Sequence, residues 1–444
     1  MPAWTDHASA SPADAAPPPA TRFLFADRSF VGLLATQFLG AFNDNVFKQM
    51  VLLLCLDYKK AARLDADLYQ PIATALFTVA FLAFSGFAGF LSDRFRKRNI
   101  IVLSKVAEIV VMTAGLITFF AASAGSQSLL WLLIVVLLLM GAQSAFFGPS
   151  KYGILPEMLP AKHLPAANGW IQMTTFLAII FGIALAGFLK VQFAGRLWAI
   201  SAICVAIAAL GTATSLLIGS RPPAQPNLKF SPSCLVVESS AWRLLVSDKA
   251  LQLVLFVYSI FWFAGGVVLP TVNEMGKSQL GWPDDLTSMI NACMAFGIGI
   301  GCGIAGALSR HQIAFWLVRL GAAGTAVAFA LVAALAASAL PADAKKIWIG
   351  VGLFLAGGSA GLLAVPLQVF LQSRPPADQK GRIIGAMNLF TWIGILLSTA
   401  YYFAVNSVLH RMNLPPCWVL AALSPIMLGI AIAFWPKLEP KPAR

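Results

Sequence analysis

Twelve long apolar runs, separated by short charged or Pro-, Gly- and Asn-rich breaks, dominate this sequence. They lie near 29–56, 70–92, 99–122, 128–148, 166–190 and 196–219, then near 250–274, 286–308, 312–340, 346–371, 383–408 and 416–435. A helix of roughly 20 apolar residues crosses about 30 Å of hydrocarbon. It also satisfies its own backbone hydrogen bonds, as any segment in lipid must. The runs therefore predict an all-α integral membrane protein with twelve transmembrane helices. Composition agrees: of 444 residues 59% are hydrophobic and 11% charged, and the mean hydropathy is +0.80. Soluble domains carry about 25% charged residues. A single soluble domain, a disordered chain and a secreted disulfide scaffold are excluded.

The runs divide six and six. Between the sets lies the Pro-rich, polar stretch 220–249, starting near RPPAQPNLKFSPS. The expected organisation is a disordered cytoplasmic tail (1–27), a six-helix bundle (28–219), a cytoplasmic linker (220–249), a second six-helix bundle (250–436) and a short cytoplasmic tail (437–444). The Ala- and Pro-rich start lacks both a basic n-region and an apolar h-region, so it does not read as a signal peptide. A faint echo links FGPSKYGILPEMLPAKHLPAANGW (147–170) with VPLQVFLQSRPPADQKGRIIGAMNLF (365–390). A parallel repeat with a binding site between the halves would produce it.

The net charge of +13 does not point to nucleic acid. Its basic residues cluster between spans, as at Arg94, Arg96, Lys97 and Arg98, where they set topology and meet anionic lipid. With the N-terminus inside, the inner segments hold roughly twice as many basic residues as the outer ones. Both termini are therefore expected in the cytoplasm. The cysteines and histidines form no metal-ligand spacing, and there is no phosphate-binding P-loop. Gly357-Gly358-Ser359-Ala360-Gly361 fits G-x-S-x-G but lies within a span, without the strand–turn–helix setting that exposes a nucleophile. The Gly ladder 297–306 reads as close helix packing. No cofactor, metal or catalytic residue is expected.

Three segments carry chemistry. Gly40-Ala-Phe-Asn-Asp-Asn-Val-Phe-Lys48 puts Asn43, Asp44, Asn45 and Lys48 inside the first span, where an Asp costs about 2.5–3.5 kcal/mol. The i, i+4 spacing lets Asp44 pair with Lys48. The group reads either as a neutralised structural pair or, better, as the polar wall of a cavity. Lys151, after Gly148-Pro149, could reach into that cavity or lie solvated in a loop. Gly89-Phe-Leu-Ser-Asp93-Arg94-Phe-Arg-Lys-Arg98 joins spans two and three, with Gly89 allowing close helix approach. Asp93 can pair with a cation or cap a neighbouring helix. Lys105 and Glu108, spaced i, i+3 in span three, read better as a structural pair.

The 89–98 segment resembles the loop signature G-x-L-x-D-R-x-G-R-[KR] of the major facilitator superfamily, with Arg96 at the second Gly position. The Asn-Asp-Asn span, the SKYGILPE turn and Ala167-Asn168-Gly169 together resemble that superfamily's lysophospholipid transporter branch. The FLGAFNDNVFKQ form is similar to the transporter segment of bacterial fusions with an acyltransferase and an acyl-carrier-protein synthetase. The resemblance runs from about Phe30 to Trp435. It implies the major facilitator fold in a bacterial inner membrane and, by alternating access, flipping of lysophosphatidylethanolamine or lysophosphatidylglycerol to the cytoplasmic leaflet for reacylation. A monomer with membrane lipid around it is expected, and an acyltransferase/acyl-carrier-protein synthetase as functional partner. Headgroup-binding roles carry to Asp44, Asn45 and Lys151. Asn43, Lys48, Asn168, Gln172 and Gln368 are further candidates to line the site, and Gly89, Asp93 and Arg94 are candidates for conformational gating. The single-domain enterobacterial type has an arginine in span seven. Here 261–270 reads FWFAGGVVLP, leaving Lys48 as the nearest intramembrane substitute. The competing reading is a proton-coupled exporter of small solutes, with Asp44 as the titrating carboxylate.

Overall fold

The computed structural model describes residues 24–61, 69–121, 126–309 and 313–436. Residues 1–23 of the expected N-terminal tail (1–27) and the expected C-terminal tail (437–444) lie outside these residues. Twelve long helices occur among the described residues: α1 (Arg28–Ala61), α2 (Tyr69–Arg94), α3 (Lys97–Ala121), α4 (Gln127–Met158), α5 (Leu164–Gln192), α6 (Trp198–Ser215), α7 (Lys249–Glu274), α8 (Asp284–Leu308), α9 (Phe315–Ala337), α10 (Ala342–Ser373), α11 (Lys380–Arg411) and α12 (Trp418–Ala433). Ten have the length and mean hydropathy of a membrane crossing. The other two are α12, a shorter apolar helix of 16 residues, and α1, whose 34 residues include the polar Asn-Asp-Asn centre.

Three boundaries differ from the sequence expectation. The fourth span was expected to break at Gly148-Pro149, but α4 continues through Pro149 and Pro156 to Met158. Lipid-embedded helices tolerate proline because neighbouring segments can satisfy the freed carbonyls. The SKYGILPE segment is therefore helix and not turn. Its echo partner α10 is also 32 residues long and carries Pro366 inside. The second difference is in the linker, which contains a helix, Ser239–Ser247. Glu238 caps it by accepting from the Ser240 and Ala241 amides. Third, the ninth run starts later and ends sooner than 312–340 suggests, as α9.

Packing explains the arrangement. In the first half α1 lies on α5 and α6, and α4 on α2 and α3; in the second, α10 lies on α8 and α9, and α11 on α7. The halves meet chiefly at two places, α2 on α11 and α5 on α8, with smaller contacts of α4 on α11 and of α5 on α10. Adding six to a helix number carries one contact into the other, which is the symmetry of a parallel repeat. Small residues let the backbones approach. A Cβ on Gly89 would meet the Gly381 carbonyl and the Gly385 Cα of α11. The Gly ladder packs similarly: Gly297 and Gly301 of α8 face the α10 backbone at Phe354 and Gly358, and Gly361 faces Ile298 and Cys302. Backbone dispersion contacts of this kind hold helices together where lipid removes the hydrophobic drive.

Candidate functional site

Between the halves lies a cavity of about 320 Å³, walled by α1, α2, α4, α5, α7 and α11 together with Lys105 from α3. A single water needs about 10–15 Å³ of such space, so the cavity has room for a polar headgroup. Its lining contains Asp44, Asn45, Lys48, Lys151 and Gln172, five of the eight binding residues expected from sequence. Apolar faces come from Phe77, Phe81, Phe147, Trp262 and Trp392.

The polar groups are held mostly by bonds between neighbouring helices. Ser144 Oγ donates to Asp44 Oδ2 at 2.6 Å, and Asp44 Oδ1, fully buried, has no hydrogen-bond partner in the structure. Asn45 Nδ2 donates to the Ala41 carbonyl at 2.7 Å. Lys151 is 8% exposed; the unbroken α4 carries it inward, so the solvated-loop alternative does not hold. Its Nζ donates to Gln37 Oε1 at 2.8 Å and lies 4.4 Å from the Tyr152 ring centroid. Gln37 in turn donates to Thr175 of α5. Gln172 links the halves, accepting from Tyr152 and donating to Tyr258 of α7, both at a long 3.4 Å. Thr391 Oγ of α11 also lines the cavity without a partner. The cavity thus offers ammonium donors at one place and an unpaired carboxylate oxygen at another.

Four expectations need correction. Asp44 and Lys48 do not pair: the carboxylate turns to Ser144, and the Lys48 ammonium lies 5.3 Å from the Phe77 ring centroid, a cation–π distance. Asn43 is fully buried behind the wall, donating to Glu108 Oε1 at 2.7 Å. Asn168 lies beyond the cavity, at the junction of the halves, where it exchanges two 2.9 Å hydrogen bonds with Gln372 of α10. Gln368 is fully buried outside the lining, with its amide atoms unpartnered. Helical phase accounts for Asn43, one position off the cavity stripe; Asn168 shares the stripe of Gln172 but lies one turn beyond the cavity, and Gln368 stands on α10, which contributes no lining residue.

The sequence missed several lining groups. Gln37, Ser144, Tyr258 and Asn388 line the cavity, and single polar residues in apolar spans give little signal. Lys105 is the larger omission. The expected Lys105–Glu108 ion pair is present and buried, yet Lys105 also lines the cavity.

The gating candidates gather on the linker side. Asp93 accepts from the Gly381 and Arg382 amides at 2.7 and 3.0 Å, and from Arg382 Nε at 3.0 Å. It therefore caps α11 and pairs with a cation there, both of the options its position allowed. The Arg382 guanidinium continues to Glu238 at 2.8 Å, Ser240 at 2.9 Å and Gln225 at 2.7 Å, tying the linker to the α2–α11 joint. Arg94 stays outside this network, on the rings of Phe90 and Phe95. Outside the membrane-spanning segments, burial pushes the Glu238 carboxyl up. The Ser240 and Ala241 hydrogen bonds and the Arg382 charge outweigh that and hold it below the ordinary glutamate range. Among the described residues no group of His, Cys, Asp and Glu could hold a metal.

A polar cavity enclosed between two pseudo-symmetric six-helix units defines a membrane transporter. Sequence comparison agrees: the Major Facilitator Superfamily profile matches residues 23–399, and the chain belongs to that superfamily. It is a transporter and not an enzyme. Among curated relatives, it is 28% identical over 382 residues to the lysophospholipid transporter LplT of Serratia proteamaculans (strain 568), covering 84% of this chain and 88% of the relative. LplT of Yersinia pestis (strain Pestoides F) is 28% identical over 384 residues, with 85% and 87% covered. The human organic anion transporter MFSD10 (TETRAN) superposes with a TM-score of 0.70 at 12% identity, covering 93% of this chain and 98% of that one. A bacterial homologue of the iron transporter ferroportin in its outward-facing state gives 0.67 at 14% identity, covering 91% and 98%. At these identities the structural matches speak for the fold alone.

Proposed function

We propose that the chain flips lysophospholipids, lysophosphatidylethanolamine or lysophosphatidylglycerol, to the cytoplasmic leaflet of a bacterial inner membrane by alternating access. The observation that carries this reading is the pairing of buried ammonium groups with an unpartnered carboxylate oxygen in one headgroup-sized cavity. Lys151 meets the phosphate. Asp44 and Asn45 take the amine or hydroxyl end of the headgroup, and the single acyl tail stays against apolar walls or lipid. The lysophospholipid transporters among the relatives support the substrate class. The linker and both termini lie in the cytoplasm, as the distribution of basic residues requires. The transporter acts as a monomer, and an acyltransferase with an acyl-carrier-protein synthetase consumes the delivered lipid.

The test is uptake of labelled lysolipids by spheroplasts that lack an endogenous lysolipid transporter, compared with diacyl lipids and a cationic drug. Uptake of lysolipid alone is the expected result. Export of the drug with no lysolipid movement would establish the competing exporter reading instead.

A further inference from the structure

We propose that Lys105, reaching through the wall of α1 at Gly40, is a phosphate-binding residue of the headgroup cavity. The inference rests on the lysophospholipid reading and names a residue that the sequence placed in a purely structural pair. Helix α3 is peripheral: it packs on α4 and α6. Among the described residues lining the cavity, Lys105 alone comes from α3. Its ammonium passes α1 at Gly40, where a Cβ would overlap Nζ. A pair that served only to neutralise Glu108 would need neither this window nor a place in the cavity wall.

The surrounding hydrogen bonds leave Lys105 available. Glu108 is held from both sides, by Lys105 at Oε2 and by Asn43 of α1 at Oε1. An ammonium has three donors, and Glu108 takes one. Lys105 and Lys151 also converge on one ring, 4.9 and 5.5 Å from the Phe147 centroid. Two like charges brought together in a low-dielectric cavity repel strongly, and an anion with several acceptor oxygens relieves the repulsion. A phosphodiester, with one negative charge and two free oxygens, fits that place. The charge balance agrees: Lys48, Lys105 and Lys151 against Asp44 and Glu108 leave one positive charge uncompensated.

Binding of 1-acyl lysophosphatidylglycerol and of phosphate-free 1-acylglycerol to the purified protein, read by quenching of the cavity tryptophans Trp262 and Trp392, tests the assignment. Gly40→Ala keeps every charge but displaces the ammonium from its window. It should weaken the phospholipid about tenfold or more and leave the acylglycerol within about twofold. Should that variant fold poorly, the double substitution Lys105→Gln/Glu108→Gln removes the pair without stranding a buried charge, and the same selective loss is expected. If either folded variant binds the phospholipid as wild type does, Lys105 is structural and the proposal is wrong. If wild-type protein binds neither lipid, the lysophospholipid reading itself falls, and this assignment with it.

Discussion

Lys151 shows how much a side chain's role depends on where its helix ends. A break at Pro149 would have put the ammonium in water; continuation of α4 to Met158 buries it beside Gln37 and Tyr152. Lys151→Arg should retain partial lysolipid uptake, because charge and donors remain. Lys151→Glu should reduce uptake at least about tenfold, since a carboxylate there repels the phosphate. Normal uptake by folded Lys151→Glu would take the residue out of the site. Asp44→Asn keeps the shape and the Ser144 contact but loses the charge that faces an ethanolammonium. It should impair the ethanolamine lipid more than the glycerol one, and equal losses for the two would contradict that role. Asp44, Asn45 and Lys48 were legible in the sequence because an ionisable group inside lipid demands a reason. Asn43, Asn168 and Gln368 were equally polar, yet only the three-dimensional placement of their helices, in phase, depth and distance from the cavity, shows that they face protein. Lys105 was visible but read as self-neutralised, since the Gly40 window depends on two helices meeting at one point.

The same division holds for elements. The apolar runs gave twelve spans, and most ends fell within a few residues, because hydropathy reports the membrane thickness directly. The linker helix was not legible, as its nine residues are amphipathic and short, and its stability comes from the Glu238 cap and the Arg382 contacts. Two predictions belong here. Gly361→Val drives a branched side chain into the α8 backbone at Ile298 and Cys302. Overpacking of this kind costs about 1–3 kcal/mol, so the thermal midpoint in detergent should fall; an unchanged midpoint would mean that the α8–α10 seam is looser than described. Glu238 has a depressed folded pKa. Its hold on the linker is therefore complete above the unfolded glutamate value and lost as pH falls through the folded one. Between pH 6 and 8 the linker should show no pH dependence. At neutral pH, Glu238→Gln should mimic acid and accelerate trypsin cleavage after Lys229 several-fold. Cleavage no faster than wild type would remove Glu238 from the latch.

At the scale of the molecule, the polar bridges between the halves lie beside small-residue seams and within an apolar cluster to which both halves contribute. Asn168 and Gln372 bond reciprocally across the α5–α10 contact, and the proposed alternating access would separate that pair. Cross-linking a Cys pair at these two positions, in a background without the native cysteines, should stop uptake and reducing agent should restore it. Uptake unaffected by the cross-link would contradict a rocking cycle about this cavity. In the proposed cycle the polar cavity carries a lysolipid headgroup across the membrane. Proteoliposomes of purified protein test it most directly, with leaflet transfer of labelled lysophosphatidylethanolamine followed by albumin extraction, for wild type and Lys151→Glu in parallel with a diacyl lipid. Lysolipid transfer by wild type, none above background by the folded variant, and no diacyl transfer are expected. Equal transfer by both proteins, or none by wild type, would contradict the proposed cycle.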